Sequence, residues 1–218
     1  MKGFRVLKIE SVNVGLPRMI ATPRGDVRTA IFKGPTAERL VVSQLNLEGD
    51  AQADLTAHGG VNKAVYGYPV EHYEYWASAL QRTDLTPGQF GENLTTRGLL
   101  ENEVLIGDVF SAGSAVIQVS QPRSPCFKLG LRMGDPRFPK KFLKSGLSGF
   151  YFRVVETGEI GAGDELERLE RGPSGITVHD IWALSYGAAS DPERLQCALQ
   201  LDTLGGEWRT PMERKLRG

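Results

Sequence analysis

Apolar and polar residues alternate over short stretches through most of the chain, the period of half-buried strands. Val6 to Val14 reads as a strand, with Val6, Ile9 and Val12 set among polar residues. Arg28 to Lys33 and Arg39 to Val42 read as two more, and Leu45 to Gln52 continues in extended form. Gly25-Asp26 and Gly34-Pro35 mark the turns between them. Further strands are expected at Glu92 to Thr95, Glu103 to Ile106, Val109 to Ser111, Ala115 to Ser120, Gly149 to Glu156 and Asp164 to Glu170. Two segments change period. Tyr73, Trp76, Ala77 and Leu80 recur at helical spacing behind Pro69, which predicts a helix over Glu71 to Leu80. Phe138, Phe142 and Leu143 give one side of a short helix over Arg137 to Lys144. Many short strands, glycine-rich turns and few helices predict a mainly β fold, a closed or partly closed β-barrel.

The pattern shifts after Gly172-Pro173-Ser174-Gly175. Thr177 with Asp180 three residues on reads as a helix N-cap. Asp191-Pro192 is a second cap, leading into Leu195, Ala198, Leu199 and Leu201, and Gly205-Gly206 is the expected end of that helix. Glu207 to Arg217 gives a third. The expected division is a barrel domain over residues 1–172 and a three-helix segment over 173–218. The segment is too short to bury a good core alone, so it should pack on the barrel or form a homodimer contact.

Composition narrows the function. The 218 residues carry 26 basic and 26 acidic side chains, a formal net charge of zero. This gives no ground for nucleic acid or an anionic membrane as partner. No apolar run approaches the ~20 residues needed to cross a bilayer. The first residues mix Lys2, Arg5, Lys8 and Glu10 with apolar ones and lack a signal-peptide core, so the expected location is the cytoplasm. The two cysteines, Cys126 and Cys197, belong to no C-x-x-C pair, and there are three histidines, which argues against a structural zinc site.

Cys126 has a setting that favours chemistry. It lies in Gln121-Pro122-Arg123-Ser124-Pro125-Cys126-Phe127-Lys128, just after a strand. Two prolines stiffen the backbone there. Arg123 and Lys128 flank the thiol, and nearby cations favour thiolate, a nucleophile and soft metal ligand. Cys197 lies among Leu195, Ala198 and Leu199 and reads as a small buried hydrophobe. Three other constellations stand out. His58-Gly59-Gly60 with Lys63 is a turn whose amides and charge suit an anion. Gly91-Glu92-Asn93-Leu94 is a turn into a strand, and Arg153 follows the aromatic run Phe150-Tyr151-Phe152.

In this order these segments resemble the MOSC family. The matching motifs are Asp54-Leu55 with His58-Gly59-Gly60 and Lys63-Ala64-Val65-Tyr66, then Gly91-Glu92-Asn93-Leu94, Ile106-Gly107-Asp108, and Gln121-Pro122-Arg123 with Pro125-Cys126-Phe127-Lys128-Leu129. The tail resembles the three-helix segment of the YiiM subgroup. The resemblance implies a β-barrel and a bound molybdenum cofactor (molybdopterin), with Cys126 as molybdenum ligand and catalytic residue. Pyridoxal phosphate binding is a further association of the family. In the YiiM subgroup it implies reduction of N-hydroxylated substrates, such as 6-N-hydroxylaminopurine, to amines. An anionic pterin phosphate calls for amides and cations. His58, Gly59, Gly60, Lys63, Arg123, Lys128 and Arg153 are the candidates to supply them, with His58 and Asn93 as candidates to orient cofactor or substrate. Glu92 is a candidate proton donor, although a solvated carboxylate beside a turn is the plainer expectation. The sequence holds no iron–sulfur cysteine set and no G-x-G-x-x-G fingerprint, so a separate reductase is expected to supply electrons. Two other readings stay open: a carrier that holds cofactor or sulfur on Cys126 without turnover, and a thiol enzyme pairing Cys126 with His58.

Overall fold

The computed structural model describes residues 6–53, 59–187 and 191–217. Strands β1 (Lys8–Val14), β2 (Arg18–Ile20), β3 (Val27–Thr29), β4 (Gly34–Thr36) and β5 (Leu40–Val42) come first. β6 (Val65–Pro69), helix α1 (Glu71–Leu80), β7 (Leu94–Arg97), β8 (Val109–Ala112) and β9 (Ala115–Pro122) follow. Then come α2 (Phe127–Met133), α3 (Phe138–Ser145), β10 (Phe150–Glu156), β11 (Gly158–Ile160) and β12 (Leu166–Glu170). Helices α4 (Val178–Tyr186), α5 (Pro192–Leu199) and α6 (Gly206–Arg217) complete the chain. Among the described residues, no helix is long and apolar enough to cross a membrane.

The main sheet runs β12-β8-β9-β10-β6-β7-β1-β4, and its pairs are antiparallel except the parallel β6–β7. The two distant strands of this order meet. Leu166 N donates to Leu7 O at 2.8 Å, Ile9 N to Asp164 O at 2.9 Å and Gly163 N to Ile9 O at 2.8 Å. The sheet thereby closes into a barrel from β12 round to β1, and β4 remains as a short edge strand. Alternation fills it: Ala115, Ile117 and Val119 of β9 and Phe150, Phe152 and Val154 of β10 are all buried. Ile9 and Val12 of β1 both reach the core although three positions separate them. A bulge between Ile9 and Ser11 supplies the extra residue.

Helices α1, α2 and α3 cover a second, aromatic core of Tyr66, Tyr68, Trp76, Phe90, Phe138 and Phe142. The Tyr68 hydroxyl, buried on β6, accepts a hydrogen bond from Trp76 Nε1 at 2.7 Å. The C-terminal helices share the barrel's own core: Trp208 and Met212 pack in one cluster with Ile9, Val119 and Phe152. The capping box of Thr177 and Asp180 starts α4, and Asp191 caps α5 through Arg194 N.

Several expected strands give way to turns. Arg28 to Lys33 is a strand only through Thr29, whose Oγ1 accepts from Ile31 N at 3.2 Å and bends the chain. Leu45 to Gln52 is turned by bonds between Ser43 and Asn46, and only Leu47 bridges to Val42. Glu103 to Ile106 is held by Leu100 O and the Asp108 carboxylate instead of a ladder. Gly34-Pro35, expected as a turn, lies in β4 at a sheet edge, where proline's missing N–H costs no ladder bond. Gly205-Gly206 does not end α5, which stops at Leu199. Gly205 O instead accepts from Trp208 N at the start of α6.

Candidate functional site

Strand β9 ends at Pro122 and delivers the thiol segment to the barrel's rim. Arg123 is the first residue past the strand and is buried. Its Nη1 donates to Phe90 O at 2.8 Å, and its guanidinium stacks on the Tyr66 ring at 4.8 Å and near Phe142 at 5.5 Å. Burial works against the charge, but Tyr66, Tyr151 and Cys126 together outweigh it and raise the arginine's pKa. Arg123 therefore holds a fixed positive charge beside the thiol. Cys126 sits in extended conformation just before α2, and its carbonyl accepts from Leu129 N at 3.0 Å. Both Cys126 and Cys197 are thiols. Cys126 is half-buried and opens on a cleft, whereas Cys197 packs against the barrel core.

The cleft measures about 650 Å³ with its open mouth included. Cys126, Ser124, Arg123, Lys128 and Tyr151 line it together with Lys33, Asp50, Asn93 and Lys63. Desolvation raises the pKa of Tyr66 and Tyr151, so both phenols stay neutral beside Arg123. Lys33 and Asp50 form a buried ion pair through Nζ and Oδ1. Burial lowers the Lys33 pKa, and Asp50 opposes that shift. The Asp50 carboxylate is also fixed by Gly15 N at 2.9 Å and by Asn93 Nδ2 at 2.9 Å.

The structure brings Lys63, Asn93, Arg123, Cys126 and Lys128 to this one cleft. It gives Asn93 a supporting place: its side chain accepts from Tyr66 N at 3.1 Å and donates to Asp50 and to Asn13 O. Its amide is spent on backbone and on Asp50, so it orients that carboxylate. Lys63 ends a 3-10 turn, Val61–Lys63, and lies 2.6 Å from Glu207 Oε1 on α6. Gly60 starts the turn at φ +101°, which favours glycine, and its carbonyl accepts from Lys63 N at 2.9 Å. Gly60 is exposed and Gly59 half-buried, and they act here by setting Lys63. His58, with the Asp54-Leu55 part of its motif, lies outside the described residues.

Two expectations are corrected. Arg153 does not line the cleft. It lines a separate groove with Val116, Gln118 and Val155, and Nη2 lies 3.4 Å from Asp202. Phe150, Phe152 and Val154 point to the core, and of the two residues on the opposite face Tyr151 lines the cleft while Arg153, further along β10, lies beyond it. Glu92 is not a solvated carboxylate. It is fully buried and accepts from Gly88 N, Phe90 N and Thr95 Oγ1 at 2.9–3.0 Å, and from the Tyr73 hydroxyl. Desolvation raises its pKa despite these donors. Its visible role is to tie the turn that presents Asn93.

Sequence reasoning missed Lys33, Asp50 and Tyr151 as cleft residues. The available signal was a lysine ending the apolar run Ala30-Ile31-Phe32, since a lysine among buried residues needs a partner. Among the described residues, no group of three or more His, Cys, Asp or Glu side chains is placed to hold a metal ion. The site brings one thiol, the cations Lys63, Arg123 and Lys128, and a buried ion pair into one cleft. That set suits an anionic ligand carrying a thiophilic metal with further ligands of its own.

Comparison with known proteins gives the family and the fold. The model of the MOSC domain matches residues 54–167, and that of the YiiM-like, 3-alpha helix domain matches residues 176–218. YflK of Bacillus subtilis is 42% identical over 94% of this chain and 92% of its own. The crystal structure of YiiM from Geobacillus stearothermophilus superposes with a TM-score of 0.79 at 35% identity, over 96% of this chain and 99% of that one. A protein named reductase from Gibberella moniliformis is 38% identical over 67% of this chain, a match that spans 27% of its own length.

Proposed function

Because the chain belongs to the MOSC domain family and ends in a YiiM-like three-helix domain, we propose that it is a molybdenum-cofactor-dependent reductase of N-hydroxylated compounds such as 6-N-hydroxylaminopurine. The observation that carries this reading is the convergence of the Cys126 thiol with Lys63, Arg123 and Lys128 on one cleft. The likeness to a protein named reductase supports reductive chemistry. When bound, the cofactor supplies the two-electron redox centre.

The chain's own residues bind and orient. Cys126 is the ligand for molybdenum. Arg123 holds positive charge against the thiolate from a buried position where water does not screen it. Lys63 and Lys128 attract the pterin phosphate. Tyr151 and Tyr66 close the wall behind Arg123 and exclude water from it. The overall change, R–NHOH plus two electrons and two protons giving R–NH2 and water, needs an electron source. Two cysteines cannot furnish an iron–sulfur set, so a separate reductase delivers the electrons.

The test is molybdenum and pterin content of the protein from a cofactor-producing host, beside a Cys126→Ala control, followed by 6-N-hydroxylaminopurine reduction with an artificial donor. Stoichiometric metal lost in the variant, with turnover in the wild type, is the expected result. Metal without turnover points to a cofactor carrier, and molybdenum fully retained by Cys126→Ala overturns the ligand assignment.

A further inference from the structure

We propose that Lys33 and Asp50 form the substrate-recognition end of the cleft, where the Lys33 ammonium donates to the hydroxyl oxygen of an N-hydroxyl group and Asp50 accepts from its O–H. This rests on the reductase reading above and assigns the residues that select the substrate.

Taking both charges of a buried ion pair from water costs about as much as their attraction returns, so an apolar pair of similar volume would hold the fold as well. A charged pair lining a cleft thus has a use other than stability. Its geometry is one of readiness. An ammonium has three donors, and among the described residues Lys33 Nζ donates to Asp50 alone. Two donors therefore remain for a guest. Asp50 cannot swing away to meet them, because Gly15 N and Asn93 Nδ2 hold both of its oxygens. A carboxylate offers about four lone-pair sites, so three donors leave room for another. Asn93 is itself locked by Tyr66 N and Asn13 O. The backbone of Lys33 is tied from outside by Arg132 Nη2, which donates to its carbonyl at 3.3 Å. The pair is rigid, charged and within the same cleft as Cys126.

An N–OH group is both acceptor and donor at one oxygen, and it complements an ammonium next to a carboxylate. The amine product lacks that oxygen and leaves the Lys33 donors unmatched. Sites built around a substrate hydroxyl reject the analogue without it strongly, because the buried groups lose their partner. The pair therefore predicts that substrate binds more tightly than product.

The experiment is isothermal titration of the cofactor-loaded protein with 6-N-hydroxylaminopurine and, separately, with adenine. The wild type is expected to bind the N-hydroxyl form at least about tenfold more tightly, the value of one good buried hydrogen bond. The double variant Lys33→Met with Asp50→Asn removes both charges and keeps one acceptor oxygen, for Gly15 N, while its NH2 takes the place that faced Asn93 Nδ2. Circular dichroism and molybdenum content confirm that it folds and loads. It should bind the two ligands within about twofold of each other. Unchanged discrimination in the double variant, with wild-type reduction intact, overturns this assignment and leaves the reductase reading standing. A loaded wild type that neither binds nor reduces the N-hydroxyl compound overturns both.

Discussion

Lys63 Nζ lies 2.6 Å from Glu207 Oε1, so a carboxylate on the first turn of α6 sits against a cation of the cleft. Neighbouring bonds reinforce the meeting. Gly205 N donates to Gln121 Oε1 at 2.7 Å, and Trp208 Nε1 donates to Pro122 O at 3.1 Å. The C-terminal helices thus hold the end of β9 from which the Cys126 segment departs. They are part of how the cleft is built.

Glu207 and a ligand phosphate compete for Lys63. Replacing Glu207 by Gln is expected to tighten binding of inorganic phosphate about two- to fivefold, the range of a partly exposed ion pair. Thermal shift against phosphate concentration reads this directly. Identical phosphate dependence in both proteins would separate Lys63 from the anion site.

Glu92 makes stability depend on pH in an unusual direction. Its folded pKa is raised above the ordinary 4.5 by desolvation, so in that window the folded state binds more protons than the unfolded one. Stability from this group is therefore greatest below the ordinary carboxylate pKa and declines as pH rises through the raised value. A Glu92→Gln variant carries no such charge. Urea unfolding of both proteins from acid to neutral pH should show the wild type losing stability relative to the variant as pH rises. Parallel curves would contradict the assignment.

Trp208 is fully buried, stacks edge-on against Tyr186 at 5.6 Å and holds Pro122 by its indole N–H. Trp208→Phe keeps most of the ring and loses that donor. It should cost about 1–2 kcal/mol of unfolding free energy. It should also lower molybdenum retention, because the segment after Pro122 loses an anchor. Full stability would mean the hydrogen bond is replaced by solvent.

Arg153 supplies a contrast. It lies outside the cleft and pairs weakly with exposed Asp202. Arg153→Gln is expected to leave molybdenum content and 6-N-hydroxylaminopurine reduction unchanged, and to shift stability by less than about 0.5 kcal/mol. A loss of bound cofactor in this variant would place the anion site outside the cleft.

Much of this was legible in the chain. The α1 helix follows its 3.6-residue period, and the caps at Thr177 and Asp191 mark where α4 and α5 begin. Cys126 and its flanking cations announced themselves because prolines and charges cluster there. Helix α2 did not. It is seven residues long with Gly130 inside, too short to show a period. That glycine sits in a tight place, since a Cβ there would lie 3.0 Å from Asp135 O. The Lys33–Asp50 pair was hidden for another reason. Its members are far apart in sequence, and only the bend after Thr29 and the turn at Leu47 bring them together. Arg153 falls outside the cleft although Tyr151, on the same face of β10, lines it, because alternation does not tell how far along a strand a cleft extends.

The closure between β1 and the approach to β12 joins nearly the first described residues to the last of the barrel. During synthesis, β1 has no closing partner until Glu165 and Leu166 have left the ribosome. Non-local pairings of this kind are slow to form, and the waiting strand exposes an edge. The barrel is thus completed late, with the three helices emerging directly behind it and packing on β9 as they appear.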